Sequence, residues 1–579
     1  MLNEIMQREK GRNSVKEPTR IVVIGGVACG PKAASRARRC DPQAKITIIE
    51  QGELISYAGC GLTYYISGLV EGRNTLLART PQDFKRVMDI NVLTRTQVLD
   101  INRDSHQVET LNLKTGQRVA IDYDKLVLAT GAMPIIPPLE GRNLRGVFTL
   151  KTIQDADAIL SFVASQKVQK AAIVGAGPIG IEAAEAFVGL GLNVIVVDVL
   201  DWVLPTLLDA EVAAFLTRHL EQKGVDILLG QKVIAFEGDK DGRVRSIATE
   251  KARLEADLVL LAIGVQPNVN LAQDAGLAIG ATGAIYVNEY LETSDPDIYA
   301  GGDCVENTSL LTGSKVYAPM GSIANKHGRI IGTNVTGGRD RFPGVLGTFM
   351  LKAFDYNVGR VGLTENEARK AGFQVVTALV PSPDHAHYYP GSEEILIKLV
   401  ANSSTHRILG GQVVGPGEAA KRNDVLATAL AFGCKAETLA NLDLSYAPPY
   451  DSAMDPLHHA ANVILNKCSG LAKALSPAEV KAKMDRDEHF IFLDVREPSE
   501  WQEWRIEAPQ VRLVPQSVLR ERLDDLPKDK EIVTLCRRSV RAYQAQRTLE
   551  GVGFKDVKFV DGSLTAWPYE TVGNGDKST

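Results

Sequence analysis

The chain has 579 residues, of which 45% are hydrophobic and 23% charged, and its formal net charge at pH 7 is -5. This length exceeds what one hydrophobic core can organise, so we expect roughly three to five domains. The slight negative charge gives no electrostatic reason to expect a nucleic acid or an anionic membrane as a partner, which leaves small-molecule chemistry as the class of function to look for.

The N-terminal residues and the cysteines indicate which classes of protein can be excluded. Residues 1–20 are rich in charge and carry no apolar run, which argues against a signal peptide. No stretch is long and apolar enough to span a bilayer, so we predict a cytoplasmic protein without a membrane partner. The seven cysteines stand without CxxC pairs or accompanying histidines, which argues against a disulfide framework and against a metal site.

A nucleotide-binding pattern begins near residue 20. A β-branched run at 21–24 enters a glycine turn and a helix of small residues, and a second strand at 45–49 ends on Glu50. In a dinucleotide fold the amides at the helix N-terminus bind the pyrophosphate, and the acid at the strand end accepts hydrogen bonds from ribose hydroxyls. The glycines of this turn are Gly25, Gly26 and Gly30.

One cysteine, Cys60, lies between two glycines shortly after this unit. The flanking glycines let a planar cofactor approach the backbone, so the position suits a redox thiol that faces a flavin. Flavin disulfide reductases with an internal dithiol carry a second cysteine one helical turn later, where this chain has Tyr65. Cys60 would then take its second sulfur from a substrate or form a sulfenic acid. The alternative is a small buried packing residue.

Two later segments complete the predicted flavin site. Residues 293–303 read as a strand that ends on Asp303, which in flavin reductases of this architecture hydrogen-bonds the ribityl chain of FAD. The sequence Ala129, Thr130, Gly131 follows a short strand and marks the usual point where the chain leaves the flavin domain.

A second and more regular nucleotide unit begins at residue 171. Its glycine signature follows a strand at 171–174, and the next strand, 193–197, ends at Asp198. Two such units in one chain predict FAD in the first and a nicotinamide cofactor in the second. Because an acid at position 198 would repel a 2′-phosphate, we predict NADH rather than NADPH. The glycines are Gly175, Gly177 and Gly180, and Glu182 on the following helix is expected near the nicotinamide.

From about residue 342 the pattern changes to strands with connecting helices and no nucleotide motif. The predicted strands are 348–353, 357–362, 374–379, 395–400 and 408–414, and the predicted helix is 418–432. In reductases with two dinucleotide units, such an α+β domain forms the homodimer interface and completes the partner's active site. Tyr388 and Tyr446 are candidates for that role because a phenol can donate a proton to a leaving thiolate, although packing is the commoner role of such tyrosines.

The last hundred or so residues have the size of an independent domain, opened by a helix N-cap near residue 476. A buried strand at 531–535 delivers Cys536 to the start of a helix. The backbone amides, the helix N-terminus and three nearby arginines would all stabilise a thiolate, a bound anion or a persulfide. The arginines are Arg537, Arg538 and Arg541.

With these motifs in hand, the chain resembles the coenzyme A-disulfide reductases fused to a rhodanese domain, a group that includes NADH-dependent persulfide reductases. The resemblance rests on residues 25–28, 38–39, 56–62, 301–303, 388–390 and 446–450, and, for the rhodanese part, on residues 494–496 and the Cys536 loop. The chain departs from the family pattern at Gly59, Thr63, Cys29 and Ser539.

The resemblance implies an α/β protein with two nested Rossmann-like domains, an α+β dimerisation domain and a C-terminal α/β rhodanese domain. It implies that Cys60 is the redox nucleophile, that Arg39 and Ser56 lie on the path of coenzyme A, and that Tyr388 and Tyr446 act from the partner subunit. The expected domains are an N-terminal extension at 1–19, the FAD-binding domain at 20–150 and 276–341, the NAD-binding domain at 151–275, the dimerisation domain at 342–468 and the rhodanese-like domain at 469–579.

The expected reaction is NADH-driven reduction of coenzyme A disulfide, coenzyme A persulfide or polysulfide at Cys60. Cys536 is expected to collect sulfane sulfur from a donor and to present it for reduction through a pantetheine arm. Two alternatives stay open. One is an NADH oxidase or peroxidase that cycles Cys60 through sulfenic acid, although related peroxidases carry a histidine where this chain has Ala28. The other is a sulfur carrier or redox sensor in which the rhodanese domain is the active part.

Overall fold

The computed structural model describes residues 17–573. The N-terminal extension predicted at 1–19, and the prediction that it is not a signal peptide, therefore concern residues that lie almost wholly outside the described range. The chain forms two compact units, the first made of residues up to Pro134 with Lys151–Ala156 and Val265–Val345, and the second made of the remainder. Within the described range, no helix combines the length and apolarity that crossing a membrane requires.

The first unit is built on a five-stranded parallel sheet. Three adjacent strands, Ile298–Ala300, Lys125–Leu128 and Arg20–Ile24, are almost fully buried, as expected for a parallel sheet. Because all strands are parallel, their carboxyl ends meet at one edge, and the first glycine turn, Glu50 and Ala129 follow three neighbouring strands there. In sheet order the strands are Ile298–Ala300, Lys125–Leu128, Arg20–Ile24, Lys45–Ile49 and Asn91–Leu93.

The helices of this unit include a closely packed pair, Cys29–Cys40 and Gly321–Asn334. A Cβ on Gly328 would lie 2.4 Å from the carbonyl oxygen of Cys29, and one on Gly332 would lie 2.4 Å from that of Ala33, so glycine lets the two backbones approach. The other helices are Leu62–Ile66, Pro81–Met88 and Asn270–Asp274, with 3-10 turns at Gly59–Gly61 and Arg73–Leu76. Smaller sheets contain Thr96–Asn102, Gln107–Asn112 and Arg118–Asp122; Ala132–Pro134 and Val265–Pro267; and Asn307–Thr308 and Lys315–Val316.

The second unit contains the second nucleotide fold, again on a five-stranded parallel sheet. In sheet order its strands are Val225–Leu228, Asn193–Val197, Lys170–Val174, Leu258–Leu261 and Val147–Phe148. Its helices are Pro178–Gly189 and Ala210–Gln222, and the helix Ile153–Gln166 has residues in both units. An antiparallel sheet of Val233–Gly238, Val244–Thr249 and Arg253–Glu255 accompanies it.

The predicted α+β domain is confirmed as a five-stranded antiparallel sheet with helices. In sheet order the strands are Phe349–Ala353, Tyr356–Gly362, Ile408–Gly415, Glu394–Asn402 and Val375–Pro383. The helices are Glu365–Lys370, Ala419–Ala431, Ala436–Leu439 and Pro456–Cys468. The last two strands of that order extend beyond the predicted bounds, because polar and proline residues at their ends still pair in register.

The C-terminal domain is a five-stranded parallel α/β fold. Its first helix begins at the predicted cap, where Ser476 and Glu479 form a capping box. In sheet order the strands are Ala474–Leu475, Val557–Val560, Ile532–Leu535, Ile491–Asp494 and Val511–Leu513. The helices are Pro477–Asp485, Pro498–Glu503 and Val540–Gly551, with 3-10 turns at Leu519–Glu521 and Leu523–Asp525.

Candidate active sites

The first glycine turn is held between two strand ends and leaves no room for side chains. A Cβ on Gly25, whose φ is +110°, would lie 2.1 Å from the carbonyl oxygen of Ala129, and one on Gly30 would lie 1.9 Å from the carbonyl oxygen of Gly25. Glu50 fixes the turn, because its carboxylate accepts the N–H groups of Gly26 and Gly52, each at 2.7 Å. The glycines and the acid that the sequence singles out therefore meet in one turn.

The second turn repeats this arrangement in the other unit. A Cβ on Gly175 would lie 2.4 Å from the carbonyl oxygen of Ala262, and one on Gly180 would lie 2.0 Å from that of Gly175. Asp198 accepts the N–H of Ala176 at 2.6 Å and that of Leu200 at 2.9 Å. A Cβ on Gly177 would have only the carbonyl oxygen of Ala262, at 3.9 Å, as a neighbour, so the backbone is open to a ligand there.

Both turns fit a dinucleotide. Each leads into a helix whose N-cap residue, Ala28 in the first unit and Gly177 in the second, provides no side-chain hydrogen bond to the first-turn amides. Those N–H groups carry the partial positive charge of the helix N-terminus and are available to a pyrophosphate. The residues thus suit FAD in the first site and a nicotinamide dinucleotide in the second.

The Gly301–Asp303 segment is positioned by a residue that sequence reasoning missed. The N–H of Gly302, with φ +84°, donates to Nδ1 of His327 at 3.2 Å. His327 is fully buried, and burial lowers its pKa to about 4, so the imidazole is neutral at pH 7 and can accept this bond. Asp303 lies beside Lys151, with 3.5 Å between Oδ2 and Nζ. No spacing rule connects position 327 to the glycine pair.

The point where the chain leaves the flavin domain is stabilised by hydrogen bonds within the first unit. The hydroxyl of Thr130 donates to the carbonyl oxygen of Asn268 at 2.7 Å, and the N–H of Asn268 donates to the carbonyl oxygen of Gly131 at 2.9 Å. Gly131 has φ +70°, a conformation that favours glycine. This crossing point is therefore a defined backbone feature at the predicted position.

Cys60 lies in the 3-10 turn Gly59–Gly61 and is exposed, so the interpretation as a buried packing residue is wrong. Its Sγ is 3.6 Å from the place a Cβ would take on Gly321. Gly321 is the first residue of the helix Gly321–Asn334, and its N-cap residue provides no side-chain hydrogen bond. The thiol thus faces a helix N-terminus, whose partial positive charge favours a thiolate.

The two residues that the resemblance places on the coenzyme A path lie in the same unit. The backbone of Ser56 is fixed because its N–H donates to the carbonyl oxygen of Gly26 and its own carbonyl oxygen accepts from Ala78, both at 2.7 Å. Arg39 is exposed at the end of its helix. Its neighbour Arg38 instead donates to backbone carbonyl oxygens, including that of Met88 at 2.8 Å, and has a structural role.

Glu182 lies on the helix behind the second glycine turn. Burial raises its pKa to about 7, and the nearby Glu185 adds like-charge repulsion. Glu185 is committed elsewhere, because its carboxylate accepts the N–H of Phe354 at 2.8 Å. Glu182 is therefore the acid of this pair that can hold a proton near neutral pH, and its approach to the nicotinamide stays a prediction.

Tyr388 and Tyr446 come together although they are far apart in the sequence. The Tyr446 hydroxyl hydrogen-bonds that of Tyr388, which raises the pKa of Tyr446. Tyr388 is 66% exposed and Tyr446 is 52% exposed, so both rings are available to contact another protein surface. The structure thus joins the two candidate tyrosines into one pair.

Arg422, which sequence reasoning missed, holds the loops that carry this pair. It is fully buried and donates to Asp455 at 3.0 Å, to Asp451 at 2.9 Å and to the carbonyl oxygen of Asp384. The N–H of Ala386 donates to the carbonyl oxygen of Asp451 at 3.2 Å. One buried guanidinium therefore ties the loop before Tyr388 to the loop after Tyr446.

Cys536 lies between a strand and a helix as predicted, but it is buried, with only 1% of its surface exposed. Two of the three predicted arginines are paired with carboxylates, so they contribute less positive charge at Cys536 than their number indicates. Arg541 forms a two-pronged pair with Glu500, at 2.6 and 2.7 Å, and Arg538 pairs with Glu394. Arg537 is exposed, and among the described residues no carboxylate lies within ion-pair distance of it.

Within the second unit, the C-terminal domain contacts both the antiparallel α+β domain and the helix Ala210–Gln222 of the nucleotide fold. Asp561, 5% exposed, accepts the N–H of Leu379 at 3.2 Å and an N–H of Lys467 at 2.6 Å. Arg218 donates to the carbonyl oxygen of Thr565 at 2.9 Å. These contacts follow directly after the last strand of the sheet, and the sequence gives no signal for them.

Comparison with known proteins covers the whole described architecture. Family models match residues 19–322 (pyridine nucleotide-disulphide oxidoreductase), 349–458 (the dimerisation domain of the same family) and 476–569 (rhodanese-like domain). An NADH oxidase of Methanocaldococcus jannaschii is 37% identical over 450 residues, which is 78% of this chain and 99% of that one. An NAD(P)H coenzyme A polysulfide/persulfide reductase of Pyrococcus horikoshii is 38% identical over 454 residues, again 78% and 99%.

Two solved structures resemble nearly the full length. An NAD-dependent persulfide reductase from A. fulgidus superposes with a TM-score of 0.90 at 43% identity, covering 95% of this chain and all of the other. The reduced Bacillus anthracis protein named CoADR-RHD gives a TM-score of 0.89 at 34% identity, covering 95% and 98%. Both matches extend over the C-terminal domain as well as the nucleotide folds.

Proposed function

Because the chain belongs to the pyridine nucleotide-disulphide oxidoreductase family and ends in a rhodanese-like domain, we propose that it reduces coenzyme A disulfide, coenzyme A persulfide or polysulfide with electrons from NADH. The observation that carries this proposal is Cys60: an exposed thiol, at a helix N-terminus, in the unit that holds the first dinucleotide cradle. Its loop has no second cysteine, so the partner sulfur comes from the substrate.

The Cys60 thiolate attacks a sulfur of the substrate, and the substrate's S–S bond breaks. With coenzyme A persulfide, a mixed disulfide between Cys60 and coenzyme A forms and hydrosulfide leaves; with coenzyme A disulfide, coenzyme A thiolate leaves instead. FAD, held by the glycine turn at residues 25–30 that Glu50 fixes, would supply the electron pair that cleaves this mixed disulfide, with NADH as the source of electrons. The helix N-terminus at Gly321 stabilises the thiolate at the start and at the end of the cycle.

The remaining residues bind the substrate and handle protons. Arg39 and Ser56 hold coenzyme A, and the chain acts as a homodimer in which Tyr388 and Tyr446 of the partner subunit face Cys60. Since their hydroxyls share a hydrogen bond, one can donate to a leaving thiolate while the other stabilises the resulting phenolate. Cys536, assisted by Arg537 and Arg541, collects sulfane sulfur. The dependence on NADH and on reduced thiols favours a cytoplasmic location.

The test replaces the nucleophile and compares it with a matched cysteine. Cys60→Ser is expected to abolish NADH-dependent reduction of coenzyme A disulfide and of coenzyme A persulfide. Cys40→Ser, at another exposed cysteine of the same unit, is expected to keep the wild-type rates. Cys536→Ser is expected to lose sulfane transfer while a preformed coenzyme A disulfide is still reduced. NADH-driven disulfide reduction by the Cys60→Ser variant would show that the assignment is wrong.

A second function, NADH oxidase, is favoured by the similarity to the NADH oxidase of M. jannaschii and by the exposure of Cys60. In that reaction hydrogen peroxide, formed by two-electron reduction of oxygen, would oxidise the Cys60 thiolate to a sulfenic acid and release hydroxide. Two further electrons would reduce the sulfenic acid to the thiolate and water. Ala28, at the place of the peroxidase histidine, argues against the peroxidase form. Initial rates with oxygen, hydrogen peroxide, coenzyme A disulfide and polysulfide as acceptors separate the candidates.

A further inference from the structure

Ser563 lies directly beside the thiol of Cys536. It is fully buried, its Oγ accepts the N–H of Cys536 at 3.3 Å, and Oγ is 3.7 Å from Sγ. Ser563 has φ +50°, a backbone conformation in which glycine is favoured over any residue with a side chain. A hydroxyl is thus present next to a reactive sulfur at a position where the backbone alone would favour glycine.

The hydroxyl proton of Ser563 is available to the sulfur. Its other acceptor within reach is the carbonyl oxygen of Val560, at 3.3 Å. That oxygen already accepts the N–H of Ser563 and the hydroxyl of Ser539, each at 3.2 Å. Since a carbonyl oxygen has two lone pairs, Val560 is satisfied without the Ser563 hydroxyl, whose proton can turn to Sγ.

We propose that Ser563 is a catalytic residue of sulfur transfer, whose hydroxyl donates a hydrogen bond to the Cys536 sulfur whenever that sulfur carries negative charge. The inference rests on the sulfur transfer proposed above for Cys536. A hydrogen bond to a charged sulfur is stronger than one to a neutral thiol, so the hydroxyl favours the thiolate over the thiol.

The bond serves both halves of the transfer. In loading, the Cys536 thiolate attacks the outer sulfur of a persulfide R–S–SH; the new S–S bond forms at Cys536, the donor's S–S bond breaks, and RS⁻ leaves with the electron pair. In unloading, an acceptor thiolate attacks the outer sulfur of the Cys536 persulfide, and the pair returns to Sγ. There is no net oxidation, and Ser563 stabilises Sγ as the attacking group in the first step and as the leaving group in the second.

The position of Ser563 is fixed from its other side. Two residues earlier, Asp561 accepts hydrogen bonds from Leu379 and Lys467 of the α+β domain. One residue later, the N–H of Leu564 donates to the carbonyl oxygen of Cys536 at 3.1 Å. The hydroxyl is therefore pre-oriented and does not have to be ordered when the sulfur becomes charged.

The test follows loading of one sulfur atom onto the full chain by intact-protein mass after mixing with coenzyme A persulfide. A Cys60→Ser background leaves Cys536 as the proposed acceptor, and Cys60→Ser with Cys536→Ser gives the baseline from other cysteines. In that background we compare Ser563→Gly, Ser563→Ala and Asp487→Gly. Glycine at 563 removes the hydroxyl and relaxes the backbone, so the melting temperature of Ser563→Gly should equal or exceed that of its parent. Asp487→Gly is the matched control, because Asp487 also has a positive φ, +52°, and is exposed in the same domain.

We expect both Ser563 variants to load roughly 10- to 100-fold more slowly, the effect of losing one hydrogen bond to a charged group. We expect Asp487→Gly to load at the parent rate. Equal loading by the parent and by either folded Ser563 variant would overturn the role of Ser563 and leave the proposed function standing. Parent loading no higher than the baseline would instead overturn sulfur transfer at Cys536, and the inference with it.

Discussion

Replacing Arg422 by methionine tests whether one buried guanidinium organises the tyrosine pair. The change keeps most of the side-chain volume and removes the positive charge. It leaves the carboxylate of Asp455 without its ion-pair partner and that of Asp451 with only Lys421, at 2.8 Å; both side chains are 2% exposed. It also removes the donor to the carbonyl oxygen of Asp384, where the loop toward Tyr388 begins.

The expected loss of stability follows from this burial. Removing one partner of a buried, hydrogen-bonded ion pair costs about 3 to 5 kcal/mol, because the other charge stays buried without compensation. For domains of ordinary size this corresponds to a drop in melting temperature of roughly 6 to 20 °C. Since the same arginine links both tyrosine loops, we expect kcat/KM for coenzyme A disulfide to fall roughly 10- to 100-fold.

Thermal unfolding followed by circular dichroism and steady-state rates provide the assay. Arg369→Met is the matched control in the same domain, because Arg369 is 57% exposed at the side chain and its ion pair with Glu365 joins neighbouring helical turns. We expect that control to change stability by less than about 1 kcal/mol. If Arg422→Met melted within about 2 °C of the wild type, or kept its full rate with coenzyme A disulfide, the account of how the loops are held would be refuted.

Three further changes test other parts of the structure. His327→Gln should flatten the pH dependence of stability. The wild type is expected to lose about 2 kcal/mol between pH 6.5 and pH 5, because the unfolded chain binds a proton in that range and the folded histidine, with a pKa of about 4, does not. Thermal melts at several pH values measure this loss, and an equal loss in the variant would contradict the prediction. Asp198→Ser should raise the ratio of kcat/KM for NADPH to that for NADH roughly tenfold, because the acid that repels a 2′-phosphate is gone; an unchanged ratio would mean that other residues select the cofactor. Asp561→Ala leaves the Leu379 N–H without its acceptor and removes the ion-pair partner of Lys467. Limited proteolysis should therefore release the C-terminal domain faster than from the wild type, and equal rates would show that the contact does not hold that domain.

The parts of the molecule that could be predicted from sequence are those set by neighbouring residues. The two glycine turns depend on spacing within about thirty residues, and their acids, Glu50 and Asp198, stand at the ends of the adjacent strands. Alternating and β-branched runs indicate the strands, because the order of apolar and polar residues along a strand follows which of its side chains are buried. For the same reason Cys60 could be recognised from its flanking glycines.

The residues that sequence reasoning missed act on partners far along the chain. Arg422 bonds Asp451, Asp455 and Asp384, between 29 and 38 residues away, and Ser563 is 27 residues from Cys536. The carboxylate partners of the arginines near Cys536 were missed for the same reason. The charges were identified correctly, but Glu500 and Glu394, which pair with two of them, reach the loop only through the tertiary fold.

The exposure of the two thiols bears on how sulfur can move through the protein. Cys60 is exposed, so a diffusing disulfide reaches it directly, whereas Cys536 is 1% exposed and a donor reaches it only if its loop opens. Two of the arginines that follow the thiol are held by carboxylates, Arg538 by Glu394 and Arg541 by Glu500. A persulfide is itself an anion, so it can compete with these carboxylates for a guanidinium. Paired arginines beside a buried cysteine therefore favour entry of a charged sulfur donor over entry of a neutral thiol.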